Sequence, residues 1–212
     1  MIVRNLKIFS QNVCKNSLII NTILKTQHHF DIILIQELPW SEIRKIPSFM
    51  NCDGEPFIGT CHHPNWIVFT RTPSNSNNFP RVITYINIRL SFLSFLLHKD
   101  IFNHWDVNLI SFTNNDICHY ILNVYSDSSH SALKYLKDTE VNISNVLLMT
   151  GDFNIRDSLW DHLFPYHSPI SNDLIMIADS FDLALSYPTN LGPTRFSNTA
   201  GEFNSAIDLI FL

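Results

Sequence analysis

Five polar side chains in this sequence each stand just beyond a short apolar run: Asn12 after Leu6–Ser10, Glu37 after Asp31–Gln36, Tyr125 after Tyr120–Val124, and Asp152 and Asn154 after Val146–Thr150. Glu37 is a hard oxygen ligand of the kind Mg²⁺ or Mn²⁺ prefers, and such ions use few carboxylates while keeping waters and phosphate oxygens. Asp152 can take a proton from water, Asn154 can orient a phosphate oxygen, and Tyr125 can donate a hydrogen bond to developing negative charge. Taken singly, each residue reads better as a solvated turn residue. As a group they complement one another, and the chemistry they suit is hydrolysis of a phosphodiester.

For that group to act, the apolar runs must be neighbouring strands whose ends share one rim. Leu6–Ser10, Asp31–Gln36, Trp66–Thr70, Val82–Ile88, Val107–Phe112, Tyr120–Val124, Val146–Thr150 and Ala206–Leu212 are short, rich in Ile, Val, Leu and Phe, and bounded by turn residues, as strands are. Helical periodicity lies between them. In Ser17–Lys25 an apolar face follows a cap at Asn16 or Ser17, and a second helix runs from Ser129 or Ser131 to about Lys137. In Asp173–Ser186, Leu174, Ile177, Ala178 and Phe181 repeat at helical spacing. Strands and helices interleave, which predicts an α/β class within one domain spanning residues 1–212. Arg71–Pro80 reads as a surface loop, and Leu90–Trp105 is open between helix and irregular chain.

Composition sets the outer limits. Lys plus Arg number 14 against 19 Asp plus Glu, so no global basic footprint announces a nucleic-acid binder. The four cysteines, Cys14, Cys52, Cys61 and Cys118, follow no signal-like leader, which points to a reducing intracellular setting, nucleus or cytoplasm. Cys61-His62-His63 near Cys52 lacks the paired spacing of a zinc site. The apolar patch Leu90–Leu97 is too short to cross a bilayer, so no membrane partner is expected.

Ser10-Gln11-Asn12, Gln36-Glu37, Asn123-Val124-Tyr125, Gly151-Asp152-Phe153-Asn154 and Ser205-Ala206-Ile207-Asp208 occur in the order and rough spacing of the endonuclease/exonuclease/phosphatase superfamily. With Trp160 after the second-last motif and Pro193-Thr194-Arg195-Phe196 ahead of the last, the chain most resembles the apurinic-like endonuclease domain of fungal non-LTR (LINE-type) retrotransposons. The resemblance spans essentially the whole chain. It implies a two-sheet α/β sandwich, DNA as partner, and an Mg (or Mn) ion held by Glu37 with Asn12 near it. It further implies that Tyr125 contacts the scissile phosphate, Asp152 aligns or deprotonates the attacking water, Asn154 binds a phosphate oxygen, and Thr194 sits on the DNA-facing rim. Asp208 matches the acid that orients a histidine in a closing Ser-Asp-His segment. The sequence stops at Ile210-Phe211-Leu212 without that segment, so the expectation is a C-terminally truncated domain whose last strand has an unpaired edge. Three functions stay open: a DNA endonuclease, a small-molecule phosphoesterase of the same superfamily, and a non-catalytic retroelement remnant.

Overall fold

The computed structural model describes residues 5–39, 63–71, 79–161, 164–186, 194 and 206–212, and the backbone alone at 44–50 and 56–59. Two sheets stack face to face. The first has strand order β1 (Ile8–Asn12), β2 (Ile32–Gln36), β6 (Val82–Asn87), β5 (Trp66–Phe69). The second has the order β11 (Asp208–Phe211), β10 (Val146–Asp152), β9 (Ile117–Tyr125), β8 (Val107–Asn114), β7 (Leu96–Leu97). A separate hairpin pairs β3 (Arg44–Met50) with β4 (Pro56–Gly59).

Each sheet contains one parallel pair, and a parallel pair needs a crossover that passes over the sheet. Helix α1 (Ser17–Thr26) links β1 to β2, and helix α2 (Ser131–Asp138) lies between β9 and β10. The described residues therefore contain two βαβ units, one per sheet. Asn16 caps α1 by accepting from the Leu18 and Ile19 N–H groups at 3.0 and 3.4 Å, and Ile20, Ile23 and Leu24 fall on its buried face. Side chains of β2 alternate: Ile33 and Ile35 pack toward α1, while Ile32 and Leu34 pack between the sheets with Ile110, Phe112 and Ile121. Burial on both faces explains why β2 reads as an unbroken apolar run. On the far side, α2 and α3 (Pro169–Asp179) cover the second sheet through Leu133, Leu174, Ile177, Leu122 and Val124. The result is a helix, sheet, sheet, helix sandwich.

Several expectations shift. The third helix begins at Pro169 and ends at Asp179, earlier at both ends than Asp173–Ser186. Asp157 explains the start: its carboxylate accepts from the Ser168 N–H at 2.7 Å and from the Ser171 hydroxyl, capping a helix that opens on proline. Asp182, with φ 58°, turns the chain after the helix, and residues 184–186 run alongside β11. Ala184 and Leu212 exchange N–H···O bonds at 2.9 Å and Ser186 donates to Ile210 at 2.8 Å. The open edge expected at the last strand is thus covered. Among the described residues β1, β5 and β7 are the strands of the two stacked sheets left with one open edge, and the residues of β1 are all half-buried. Leu90–Trp105 contains the end of a 3₁₀ turn (Ile88–Leu90), the two-residue strand β7 and irregular chain. Arg71, placed in a surface loop from its neighbours, is buried and donates to Asn103 and to the Lys99 carbonyl. Cys52, Cys61 and His62 lie outside the described residues. Among the described residues no helix is long and apolar enough to cross a membrane.

Candidate active site

Both parallel pairs end at the same rim, and their C-terminal ends carry the polar residues. Asn12 is the register partner of Gln36 at the end of β1 and β2, with Glu37 next in the chain. Tyr125 and Asp152 are register partners at the end of β9 and β10, and Asp208 faces Asp152 from the antiparallel strand β11. Across the gap between the sheets, the Asn12 side-chain amide donates to the Asp152 carboxylate. Residues 140 positions apart are thereby joined.

Below this rim the sheets are stitched by buried amides. Gln36 Nε2 donates to Asn123 Oδ1 at 2.6 Å, and Asn123 Nδ2 reaches the carbonyls of Ile35 and Ile83 at 3.3 and 3.1 Å. Asn108 accepts from Thr84 at 3.3 Å and donates to the Phe69 carbonyl at 3.0 Å. Gln36 and Asn123, which belong to the Gln36-Glu37 and Asn123-Val124-Tyr125 motifs, are therefore structural staples beneath the site. Their partners Glu37 and Tyr125 are left to face the rim.

Asp152 is 2% exposed. Burial pushes its carboxyl up to about 7; Asp208 and Glu37 add to the rise, and the hydrogen bonds from Asn12 and the Asn154 N–H work against it. Burial also raises Asp208, opposed by the Thr194 hydroxyl, and Asp208 Oδ1 is buried with no hydrogen-bond partner among the described residues. Tyr125 is pushed above its ordinary range by burial, then by Glu37 and Asp152, so its hydroxyl stays protonated and able to donate. Asn154 donates its backbone N–H to Asp152 Oδ1 at 2.9 Å and one side-chain N–H to the Ser126 carbonyl at 2.7 Å, leaving a second amide hydrogen without a partner among the described residues. Thr194 is exposed at the start of β11, where its hydroxyl accepts from the N–H groups of Ile207 and Asp208 at 3.0 and 3.1 Å.

The rim is built from strained backbone. Cys14, Lys15, Glu37 and Asn154 have φ of 47°, 59°, 55° and 50°, a left-handed conformation that costs non-glycine residues on the order of 1 kcal/mol each. Gly151 has φ 156° and approaches β9 so closely that a Cβ would lie 1.7 Å from the Val124 carbonyl oxygen. That close approach is what sets Asp152 beside Tyr125.

Sequence reasoning missed several residues here. Lys15 Nζ lies 3.6 Å from Glu37 Oε1, and its N–H donates to the Glu37 carbonyl at 2.8 Å. The Cys14 N–H donates to Asn12 Oδ1 at 2.7 Å, which places it at the same mouth, and burial, followed by Glu37, Asp152 and Asp208, raises its thiol. Ser126 ties Asn154 to His130 Nδ1, 3.1 Å from the serine hydroxyl. Arg81 stacks over the Tyr125 ring. Only the short spacing of Cys14 and Lys15 from Asn12, and of Ser126 and His130 from Tyr125, offered a signal.

Glu37 presents its carboxylate to the Lys15 ammonium, so it is already oriented toward a cation. Among the described residues no three His, Cys, Asp or Glu side chains converge into a metal cage. One carboxylate with a neighbouring amide fits a hard ion that keeps most of its waters, as Mg²⁺ does, and does not fit the multi-ligand shell of Zn²⁺.

Solved structures share this fold. The endonuclease domain of TRAS1, a telomere-specific non-LTR retrotransposon, superposes with a TM-score of 0.59 at 14% identity over 97% of this chain and 83% of that one. An endonuclease/exonuclease/phosphatase family protein from Leptotrichia buccalis C-1013-b gives 0.56 at 13% identity, covering 98% and 87%. The chain has the endonuclease/exonuclease/phosphatase fold. D. rerio TDP2, complexed with single strand DNA product, gives 0.52 at 14% identity over 97% and 82%. No family model matches the sequence, and no curated protein matches it.

Proposed function

We propose that this chain is a metal-dependent phosphodiester hydrolase of the endonuclease/exonuclease/phosphatase type, and that its substrate is DNA, nicked as by the endonuclease of a LINE-type retroelement. The observation that carries the reading is the Asn12–Asp152 hydrogen bond, which brings Glu37 on one sheet and Asp152 on the other to one mouth. The fold likeness to a retrotransposon endonuclease domain and to a protein crystallised with a DNA product supports DNA over a small phosphoester.

In this reading Glu37 and Asn12 hold the Mg²⁺ or Mn²⁺, whose charge opposes that of the phosphate oxygens once bound. Asp152 aligns the attacking water and takes its proton, with a proton affinity set near neutrality by burial and Asp208. Asn154 donates its second amide hydrogen, and Tyr125 its hydroxyl, to the non-bridging oxygens. Asp208 acts on Asp152 by charge, and Thr194 holds the start of β11 at the rim.

Conversion of supercoiled plasmid to nicked circle in Mg²⁺ tests this. Glu37→Gln and Asp152→Asn should each slow nicking by about 10²–10³ or more. Equal nicking by Asp152→Asn and the unaltered protein overturns the assignment. Phosphate release from an inositol phosphate without any nicking would move the function to a small-molecule phosphoesterase.

A further inference from the structure

Arg81 belongs to none of the motifs that mark the site, yet it is tied into the rim through two carboxylates. It stands immediately before β6, where its N–H donates to the Trp105 carbonyl at 3.2 Å. Its Nε and Nη2 both reach the Asp106 carboxylate, and Nη2 also reaches Asp127 at 2.9 Å. The guanidinium carbon lies 4.8 Å from the centre of the Tyr125 ring. Asp106 is 1% exposed, and its carbonyl accepts the Tyr125 N–H at 2.9 Å. One side chain thus joins the first sheet to the loops on both sides of the second sheet's β8 and β9.

Such a fork over an aromatic face fixes the ring in two ways. The planar group lies against the ring's negative face, and the paired bonds to Asp106 stop it rotating away. Tyr125 is 8% exposed, and among the described residues its hydroxyl makes no hydrogen bond that would hold the far end of the ring. Its direction is set from below. Direct phosphate binding by Arg81 is the competing role, but two carboxylates already cancel its charge and the side chain is only 24% exposed.

We propose that Arg81 is the positioning residue for Tyr125, clamping the ring between the Asp106 fork and β9 so that its hydroxyl is aimed at the phosphate held over Glu37 and Asp152. This rests on the hydrolase reading above. Lysine in place of arginine keeps the charge and removes the fork and the plane, so Arg81→Lys does not substitute for it.

Two measurements decide the matter. In nicking kinetics, Arg81→Lys should lower kcat about ten- to a hundred-fold with KM and its salt dependence unchanged, as for a misplaced catalytic group. The same substitution made in Tyr125→Phe should cost little more, because the hydroxyl it aims is already gone. Additive losses in the double variant, or a raised KM with a shallower salt slope, would overturn the proposal. Independently of activity, the protein labelled with 3-fluorotyrosine should show one ¹⁹F resonance, assigned by its loss in Tyr125→Phe, that moves and broadens in Arg81→Lys while the others stay. A Tyr125 resonance unmoved by Arg81→Lys rejects the clamp even if no nicking is ever found; absent nicking with a moved resonance rejects the hydrolase reading alone.

Discussion

Asp152 and Asp208 are direct cross-strand partners in the β10–β11 ladder, so a buried and a half-buried carboxylate oppose each other at one end of the sheet. Their repulsion adds to burial in raising Asp152, and the Asn12 amide counteracts it. A general base works deprotonated, so the rate should climb with pH through about 7. Asp208→Asn removes one raising charge and should move that limb to lower pH. Asn12→Ala removes a bond to the charged form and should move it higher. Profiles of kcat/KM against pH for the two variants check this, with limbs displaced in opposite directions.

The same raised carboxyl makes stability depend on pH in the direction opposite to that of a salt-bridged aspartate. The folded state favours the neutral form, so Asp152's contribution is fully present below the ordinary carboxylate range and is lost as pH rises through about 7. A tenfold change in proton affinity corresponds to about 1.4 kcal/mol, so ionising Asp152 costs the metal-free fold a few kcal/mol. Urea midpoints in EDTA should fall between pH 5 and pH 8, and Asp152→Asn should flatten that fall. Added Mg²⁺ should restore part of the loss at pH 8 through mass action on the folded state.

Gly151 offers a test of how β10 is seated. A methyl group there meets the Val124 carbonyl, which is backbone and fixed by the parallel ladder, and the φ of 156° is itself unsuited to a side chain. Gly151→Ala should therefore destabilise by about 3 kcal/mol or more. A thermal melt within a degree or two of the unaltered protein would mean that β10 can move off β9, and Asp152 with it.

Much of this arrangement was legible along the chain because strands buried on both faces leave unbroken apolar runs, as β2 does and as β10 does apart from the exposed Leu147. The polar residues at their ends could be located, and Asn12, Glu37, Tyr125 and Asp152 do share one rim. What periodicity could not tell was which member of a motif faces the site. Gln36 and Asn123 are as polar as their neighbours, yet their amides bond to each other between the sheets, a division visible only once both strands are stacked. Arg81 and Asp106 were invisible for a related reason: their partners lie on other strands, and no local spacing connects an arginine before β6 to a ring at the end of β9. The covered edge of β11 depended on a turn at Asp182, a residue whose left-handed backbone no apolar pattern announces.

Lys15 carries the last prediction. Its ammonium lies 3.6 Å from the carboxylate expected to bind the divalent ion, so the two cations compete for Glu37. The lysine side chain is 54% exposed, and an ion pair so open to water contributes about 0.2–1 kcal/mol. Replacing it with methionine should therefore lower the half-saturating Mn²⁺ concentration by roughly 1.4- to 5-fold. A titration followed by electron paramagnetic resonance of free Mn²⁺ reads this without any substrate present. Glu37→Gln should abolish the difference between lysine and methionine at position 15, since both act through that one carboxylate. If Lys15→Met instead weakens Mn²⁺ binding, the ammonium orients the Glu37 carboxylate rather than competing for it, since the 2.8 Å bond between the two backbones is unchanged by the substitution.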